Sequence, residues 1–454
     1  MSFFKANDMR GEFGVDFDLD TVWRVGRWLP VVLGVRRVLV GRDIRLTSVA
    51  MRDALCKGLV ESGCEVDDMG LATTPMVYFF TAQMGYEASV QITASHNPKG
   101  HNGMKVSRAG AVPVGYDAGL KGLEEKVLSG ELPPPVAGGG VREVVYRDAF
   151  VSWLRERKGD LSGLRFAVDC SNGMAGLLIR DVLGEGPLYL NEDLDGNFPC
   201  HEPNPLEVKN CAQLMAAVTA GKLDAGVIFD GDADRVMFVD ETGAFVQPDY
   251  LIPVIARRFL RREPGATIIH DIRTSRGAIE ALRRDGAVTK IDKVGHAFIK
   301  ATLRELKAPF GGEFAGHYYF RDFFCCDSGE LAALMVLETL AEAKRSGVTF
   351  SKMLAPIRCY ANTGEQNFTV TDKDAAIAAV LAALEPFGAP KAWHDFDGVR
   401  AEYDDWWMSV RKSNTEPYLR LITEANDEAL LAARNAVLKD ALNPFITEEQ
   451  KHHA

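Results

Sequence analysis

The chain has 454 residues, with 52 lysines and arginines against 63 aspartates and glutamates, for a formal net charge of −11. That length predicts about three domains at roughly 150 residues each. The acidic balance argues against nucleic acid or an anionic membrane as a partner, because both need a basic footprint, and any phosphate ligand requires cations gathered locally.

Taken in chain order, "MSFFKANDMRGEF" carries charge too early for a signal segment, and "WLPVVLGV" stops at Arg36-Arg37, far short of a membrane span; a cytoplasmic location is expected. "RRVLVGRDIRLTSVAMRDALCKGLVESGCEVDDMG" reads as a β-branched strand, a polar loop, an amphipathic helix and a second strand. "SVQITASHNPKGHNGMK" then sets Ser95 and His96 after an apolar run and before a turn at Asn97-Pro98. Neighbours on an extended chain point to opposite faces, so these two are not expected to pair as a dyad, and no G-x-S-x-G elbow surrounds the serine. What remains is a turn serine, or one that carries a phosphoryl group beside a cation. "ELPPPVAGGGVREVVYRD" reads as a linker because Pro and Gly interrupt any period.

"LRFAVDCSNGMAGLLIRDVLG" predicts a further strand, loop and helix start. "LDAGVIFDGDADRVMFVDETGAFV" places Asp230, Asp232 and Asp234 between two apolar strands, the second turning back at Glu241-Thr242-Gly243. Carboxylates this close repel unless a cation lies among them, and hard oxygen ligands favour Mg²⁺ or Ca²⁺. An EF-hand fails, since Arg235 stands where that loop needs Gly and strands flank the site. "ATIIHDIRTSRGAIEALRRDGAVTKIDKVG" repeats the first strand–loop–helix–strand unit, even to Asp-Ile-Arg at 43–45 and 271–273. After residue 362, "QNFTVTDKDAAIAAVLAALEPFG" and "AEYDDWWMSVRKSNTEPYLRLITEA" read as strand, helix, strand, loop, strand. The eight cysteines form no C-x-x-C pair and are expected as reduced thiols, with Cys325-Cys326 in packing roles.

The expected fold class is therefore α/β: three related α/β/α domains with mixed sheets (1–145, 146–248, 249–362) and a smaller α+β domain (363–454). In "RKSNTEP", Arg411 offers a bidentate fork and Ser413, Asn414 and Thr415 short donors, a plausible anion cradle that Arg420 extends.

"TASHNPKGHNGMK", "DGDADR", "GGEFAGHYYFRDFFCCDSG" and "RKSNTEPYLRL" together resemble, in order and spacing, the α-D-phosphohexomutase family, and its phosphomannomutase/phosphoglucomutase branch in particular. "VGRDIRLTS", "DCSNGMAG", "DGNFPCHEPNP" and "DKVGHAFIK" extend the likeness over the whole chain. The resemblance implies four domains around one central cleft, a phosphoserine at Ser95, and Mg²⁺ held by a phosphoryl oxygen of that serine with Asp230, Asp232 and Asp234. It implies reversible interconversion of mannose 1-phosphate and mannose 6-phosphate, and of the glucose phosphates, through a hexose 1,6-bisphosphate that also serves as activator.

By the same resemblance, Arg10 and Arg235 neutralise phosphoryl charge, His96 and Lys105 handle the hydroxyl proton, and Glu313, His317, His296 and Arg273 meet the sugar. The "RKSNTEP" cradle takes the phosphate that is not transferred. Ala315 replaces the serine usual in the sugar loop, Arg273 stands where lysine is common, and Asn7 replaces an aromatic. One lost hydroxyl contact costs about 0.5–1.5 kcal/mol, enough to alter sugar preference without ending catalysis. A phosphoglucosamine mutase and a metal-dependent sugar-phosphate phosphatase are the alternatives; the second phosphate cradle argues against the phosphatase. A monomer or dimer is expected.

Overall fold

In the computed structural model, residues 3–413 and 418–447 are described. Three sheets share one design. In the first, strand Arg37–Arg42 lies between Glu65–Leu71 and Ala88–Ile92, parallel to both, and His101–Arg108 returns antiparallel to Ala88–Ile92. In the second, Phe166–Asp169 holds the centre between Leu188–Leu190 and Ala225–Phe229, and Val236–Asp240 returns antiparallel. In the third, Thr267–Asp271 lies between Val288–Asp292 and Phe310–Gly312, with Tyr318–Phe320 antiparallel. The strands Ala88–Ile92 and Ala225–Phe229 are buried along their whole length, as strands covered on both faces by helices are.

Several helices start where short polar side chains cap them. Thr73 accepts from the Met76 amide ahead of Thr74–Gln83, with Pro75 in the first turn, and Ser328 accepts from the Leu331 amide ahead of Gly329–Arg345. Both helices enter one apolar core that runs through the first three domains, from Phe79 through Phe150 and Val168 to Phe310 and Leu334.

The fourth sheet is antiparallel along its main path, with Tyr418–Ala425, Trp406–Lys412 and Val399–Glu402 at its centre and helices Lys373–Ala382 and Glu428–Leu442 packed against it. It has its own core around Trp406, Met408 and Leu421. Alternation along the strand sends Trp407 to the opposite face, where it meets Ile422 and Phe314 of the third domain. The fourth domain thus joins the others through a small apolar contact and through hydrogen bonds such as those of Arg276 and Arg400, instead of a shared core.

Two expectations needed amendment. The Pro/Gly-rich stretch after residue 130 is not linker throughout: Gly140–Glu143 adds an exposed edge strand parallel to Glu65–Leu71, an element whose four exposed residues carry no hydrophobic period. In the last domain, short strands Ala392–His394 and Val399–Glu402 and the helix Glu428–Leu442 supplement the predicted elements. Asn414 and Thr415 lie outside the described residues.

Candidate active site

The three repeated sheets put three loops in one place, each where the buried parallel strand hands over to its antiparallel return: 93–100, 230–235 and 313–317. Ser95 occupies the first. Its φ of 51° is left-handed, a conformation costing an L residue about 1–2 kcal/mol. Because the chain bends there instead of running extended, Ser95 Oγ lies 3.3 Å from His96 Nδ1, so the expectation that these neighbours point apart is corrected. Ser95 Oγ also donates to Asp230 Oδ2 at 2.7 Å, across the boundary between the first two domains. Gly231 makes that approach possible, since a Cβ there would stand 2.4 Å from the Ser95 carbonyl oxygen.

Asp230, Asp232 and Asp234 are buried, and one oxygen from each falls within 4.8 Å of the others. Burial, followed by the charges of Asp234 and Asp232, pushes the Asp230 carboxyl well above the usual carboxylate range. Lys105 Nζ sits on Asp232 Oδ2 at 2.7 Å and also meets Asp234 Oδ2. Burial would discharge this lysine, but the two aspartates outweigh it and raise its ammonium above the ordinary value. Thr74, at the start of its helix, donates its hydroxyl to Asp232. Asp232 Oδ1 and Asp234 Oδ1 have no hydrogen-bond partner among the described residues. Three buried carboxylates, two of them with an orphaned oxygen, fit a divalent cation such as Mg²⁺.

The loops open on a cleft of about 880 Å³ lined by all four domains. Arg10 pairs with Asp8 and donates to Asn97 Oδ1 at 3.1 Å. Arg235 Nε lies 3.8 Å from Asp230 Oδ2 and donates to His317 Nε2 at 2.8 Å. That bond makes Nε2 the acceptor and puts the imidazole proton on Nδ1, which faces Asp327 Oδ2 at 2.7 Å; Lys300 Nζ lies 2.6 Å from the other Asp327 oxygen. Burial, then the cations around them, holds both His96 and His296 well below the usual histidine value, so both are neutral.

Glu313 Oε1 accepts from the Gly295 amide at 3.0 Å, and Ala315 lines the cleft beside it. Arg273 is held by Asp271 at 2.7 Å and Glu365 at 3.3 Å, and Glu365 also holds Arg420 at 2.8 Å. Arg411 is buried, and its Nε and Nη2 have no hydrogen-bond partner among the described residues, although Nη2 is 3.5 Å from Asp397. Ser413 lies on the same wall. The site residues expected from the sequence that are described here therefore gather at the cleft or directly behind it.

Thr74, Asp327, Lys300 and Glu365 were missed. "ATTPM" signals a helix start and nothing more, while Asp327 and Lys300 are separated in sequence from the histidine they support. Glu365 had no local signal at all.

A buried acidic cradle under a serine, facing a wall of arginines, is the equipment of phosphoryl transfer. Family models for the phosphoglucomutase/phosphomannomutase α/β/α domains I, II and III match residues 1–132, 145–243 and 247–360, and that for the C-terminal domain matches 365–441. The chain belongs to the phosphoglucomutase/phosphomannomutase family. It is 36% identical to a phosphomannomutase of Salmonella typhimurium, covering 97% of this chain and 98% of the relative. It is also 36% identical to one of Escherichia coli, covering 95% and 97%. A crystal structure of a family protein from Burkholderia thailandensis superposes with a TM-score of 0.88 at 30% identity, over 97% of each chain. A Paramecium phosphoglucomutase in an open form shares the fold, with a TM-score of 0.74 at 16% identity over 94% of this chain and 91% of that one. No helix among the described residues is long and apolar enough to cross a membrane.

Proposed function

We propose that this chain is a phosphomannomutase that interconverts mannose 1-phosphate and mannose 6-phosphate, and also the glucose pair, by way of phosphorylated Ser95 and a hexose 1,6-bisphosphate. The observation that carries the reading is the bond from Ser95 Oγ to Asp230 in a cradle of three buried aspartates, opposite a second set of cations at Arg411 and Arg420. One set suits the phosphoryl group in transfer and the other the phosphate at the far end of the sugar.

In the first transfer the bond between phosphorus and Ser95 Oγ breaks as a sugar hydroxyl oxygen bonds to phosphorus; in the second the bond between phosphorus and the other sugar oxygen breaks as Ser95 Oγ bonds to phosphorus. His96, neutral and with Nδ1 3.3 Å from Ser95 Oγ, and the charged Lys105 handle the proton that passes between the sugar hydroxyl and Ser95 Oγ. Arg10 and Arg235 balance charge on the phosphoryl oxygens. Asp230, Asp232 and Asp234 would hold Mg²⁺, which supplies a further positive charge at the phosphoryl group. Glu313, His317, His296 and Arg273 meet the sugar, while Arg411 and Ser413 take the distant phosphate, a role the resemblance also gives to Asn414 and Thr415, which lie outside the described residues. The bisphosphate then reverses and returns its other phosphoryl to Ser95, and a fourth domain with a separate core suits that reorientation.

The domain boundaries of this reading are 1–145, 146–248, 249–362 and 363–454. A cytoplasmic monomer or dimer acting on hexose phosphates, with the bisphosphate as activator, completes it. The test is ³¹P spectroscopy of the protein with mannose 1-phosphate, Mg²⁺ and a trace of glucose 1,6-bisphosphate. Mannose 6-phosphate appearing without free phosphate supports the mutase; accumulating inorganic phosphate overturns it in favour of a phosphatase.

A further inference from the structure

Asp43-Ile44-Arg45 lies at the end of the central strand of the first sheet and makes no contact with the cleft, yet Arg45 is only 3% exposed. Its Nη1 donates to the carbonyl oxygens of Pro98 and His101, each at 3.0 Å, and its Nη2 to those of Ser95 at 2.8 Å and Asn97 at 2.6 Å. All four Nη hydrogens are thus committed to the loop that carries Ser95. Asp43 lies 3.3 Å from Nε and also accepts from the Arg45 amide and the Ser48 hydroxyl, which locks the guanidinium from behind.

The second domain presses on the same unit. The Phe198 ring lies over the guanidinium at 5.0 Å, and Gly196 packs so closely that a Cβ would stand 2.4 Å from the Ile44 carbonyl oxygen.

The structure assigns Arg45 as the positioning residue of the reaction: it gathers the carbonyls of loop 95–101 on one planar fork and so holds Ser95 in its left-handed conformation, aimed at Asp230. The assignment rests on the reading of Ser95 as the phosphoryl carrier. A fork is needed for geometric reasons. Four carbonyls that converge on one point repel as dipoles, and a guanidinium satisfies all four within a single plane. Lysine has three donors and no plane, so Arg45→Lys keeps the charge but leaves at least one carbonyl unmet. Phe198 carries the same restraint across the domain boundary that the Ser95–Asp230 bond crosses, so the ring fixes the loop relative to the metal cradle.

The experiment compares the full-length protein with Arg45→Lys, Arg45→Gln and Phe198→Leu in two measurements. One is amide hydrogen exchange of peptides spanning 93–101 against peptides elsewhere; the other is steady-state kinetics with mannose 1-phosphate. Arg45→Lys is expected to speed exchange in 93–101 by about tenfold while leaving other peptides protected. It should lower kcat by about 100-fold with KM within about twofold of the parent, because misplacing a nucleophile by an ångström costs that much. Arg45→Gln should exceed it in both respects, and Phe198→Leu should show a smaller change of the same pattern. A lysine variant with unchanged loop exchange and unchanged kcat overturns the assignment, and so does one that raises KM alone. Incubation with glucose 1,6-bisphosphate separates the two readings: if Ser95 then carries no phosphoryl group, the carrier role fails, while loop exchange still decides whether Arg45 holds the loop.

Discussion

Asp-Ile-Arg stands at the same corner of the first and third sheets, and its two arginines face opposite ways. In both copies the aspartate accepts from the arginine amide, at 2.9 Å from Asp43 and 2.7 Å from Asp271, so the backbone corner is the same. Arg45 turns into the protein and caps the carbonyls of its own domain's loop, whereas Arg273 turns to the cleft between Asp271 and Glu365. The difference lies in the loop across from each. The stretch 93–100 is long and directs several carbonyls inward, while the shorter 313–317 is caught by one bond from the Phe314 amide to Asp271 Oδ2. In the third domain, the carbonyls on either side of Arg273 are met by Arg400 from the fourth domain. The middle domain repeats the corner with Asp169 and Ser171, whose hydroxyl caps the Phe229 carbonyl just before Asp230. A repeated motif thus dictates a corner, and the opposing loop dictates what the side chain does there.

The comparison is broken most completely by removing the atom the first loop presents. Ser95→Ala should lower mutase turnover by on the order of 10⁴-fold or more, with an unchanged melting temperature, in a coupled assay of mannose 6-phosphate formation. Stripping divalent cations with a chelator should do likewise, reversibly on adding Mg²⁺, if the aspartate cradle works as proposed.

A second contrast concerns pH. The third domain's corner is backed by Asp249, which accepts from the Ser275 amide at 2.7 Å. Burial, with Glu424 and Asp271 adding to it, lifts its carboxyl from 3.8 to about 7 against the opposing backbone amides of Ser275 and of Asp249 itself. A folded-state value above the unfolded one means that the protonated form favours folding: the contribution is complete below about pH 4 and is lost as pH rises through about 7. Asp249→Asn should therefore flatten the decline in stability between pH 5 and pH 8 by about 3 kcal/mol, read from unfolding at the two pH values. An equal slope in both proteins would remove Asp249 from the account.

Arg273→Gln sharpens the comparison from the cleft side. It deletes a charge-assisted contact worth about 1.5–3 kcal/mol, so kcat/KM should fall by roughly 10- to 150-fold, without the faster exchange in 93–101 expected of Arg45 variants. The smallest effect belongs to Ala315→Ser, which offers the sugar one hydroxyl worth about 0.5–1.5 kcal/mol. It should change kcat/KM by about two- to tenfold and shift the mannose-to-glucose ratio, as measured with the two 1-phosphates in competition.

Much of this was legible before folding. The strands around Val38–Val40, Val227–Phe229 and Ile268–Ile269 announced themselves as β-branched apolar runs, and the closeness of Asp230, Asp232 and Asp234 in sequence made a cation cradle readable without a fold. From its neighbours Ser95 was legible as a turn serine or a phosphoryl carrier, the family resemblance favoured the carrier, and its geometry was misjudged because extended backbone was assumed where φ is positive.

By itself, then, the sequence determined the three-fold repeat, the acidic cradle and the cationic loop of the last domain, because periodicity and local charge are properties of neighbouring residues. Tertiary structure alone decided that Lys105 lies on Asp232, that Asp327 and Lys300 stand behind His317, that Glu365 binds two arginines, and that two identical tripeptides part ways. Those pairings join residues distant along the chain, and an ion pair or a carbonyl cap depends on which loops the sheets bring face to face, which no local pattern encodes.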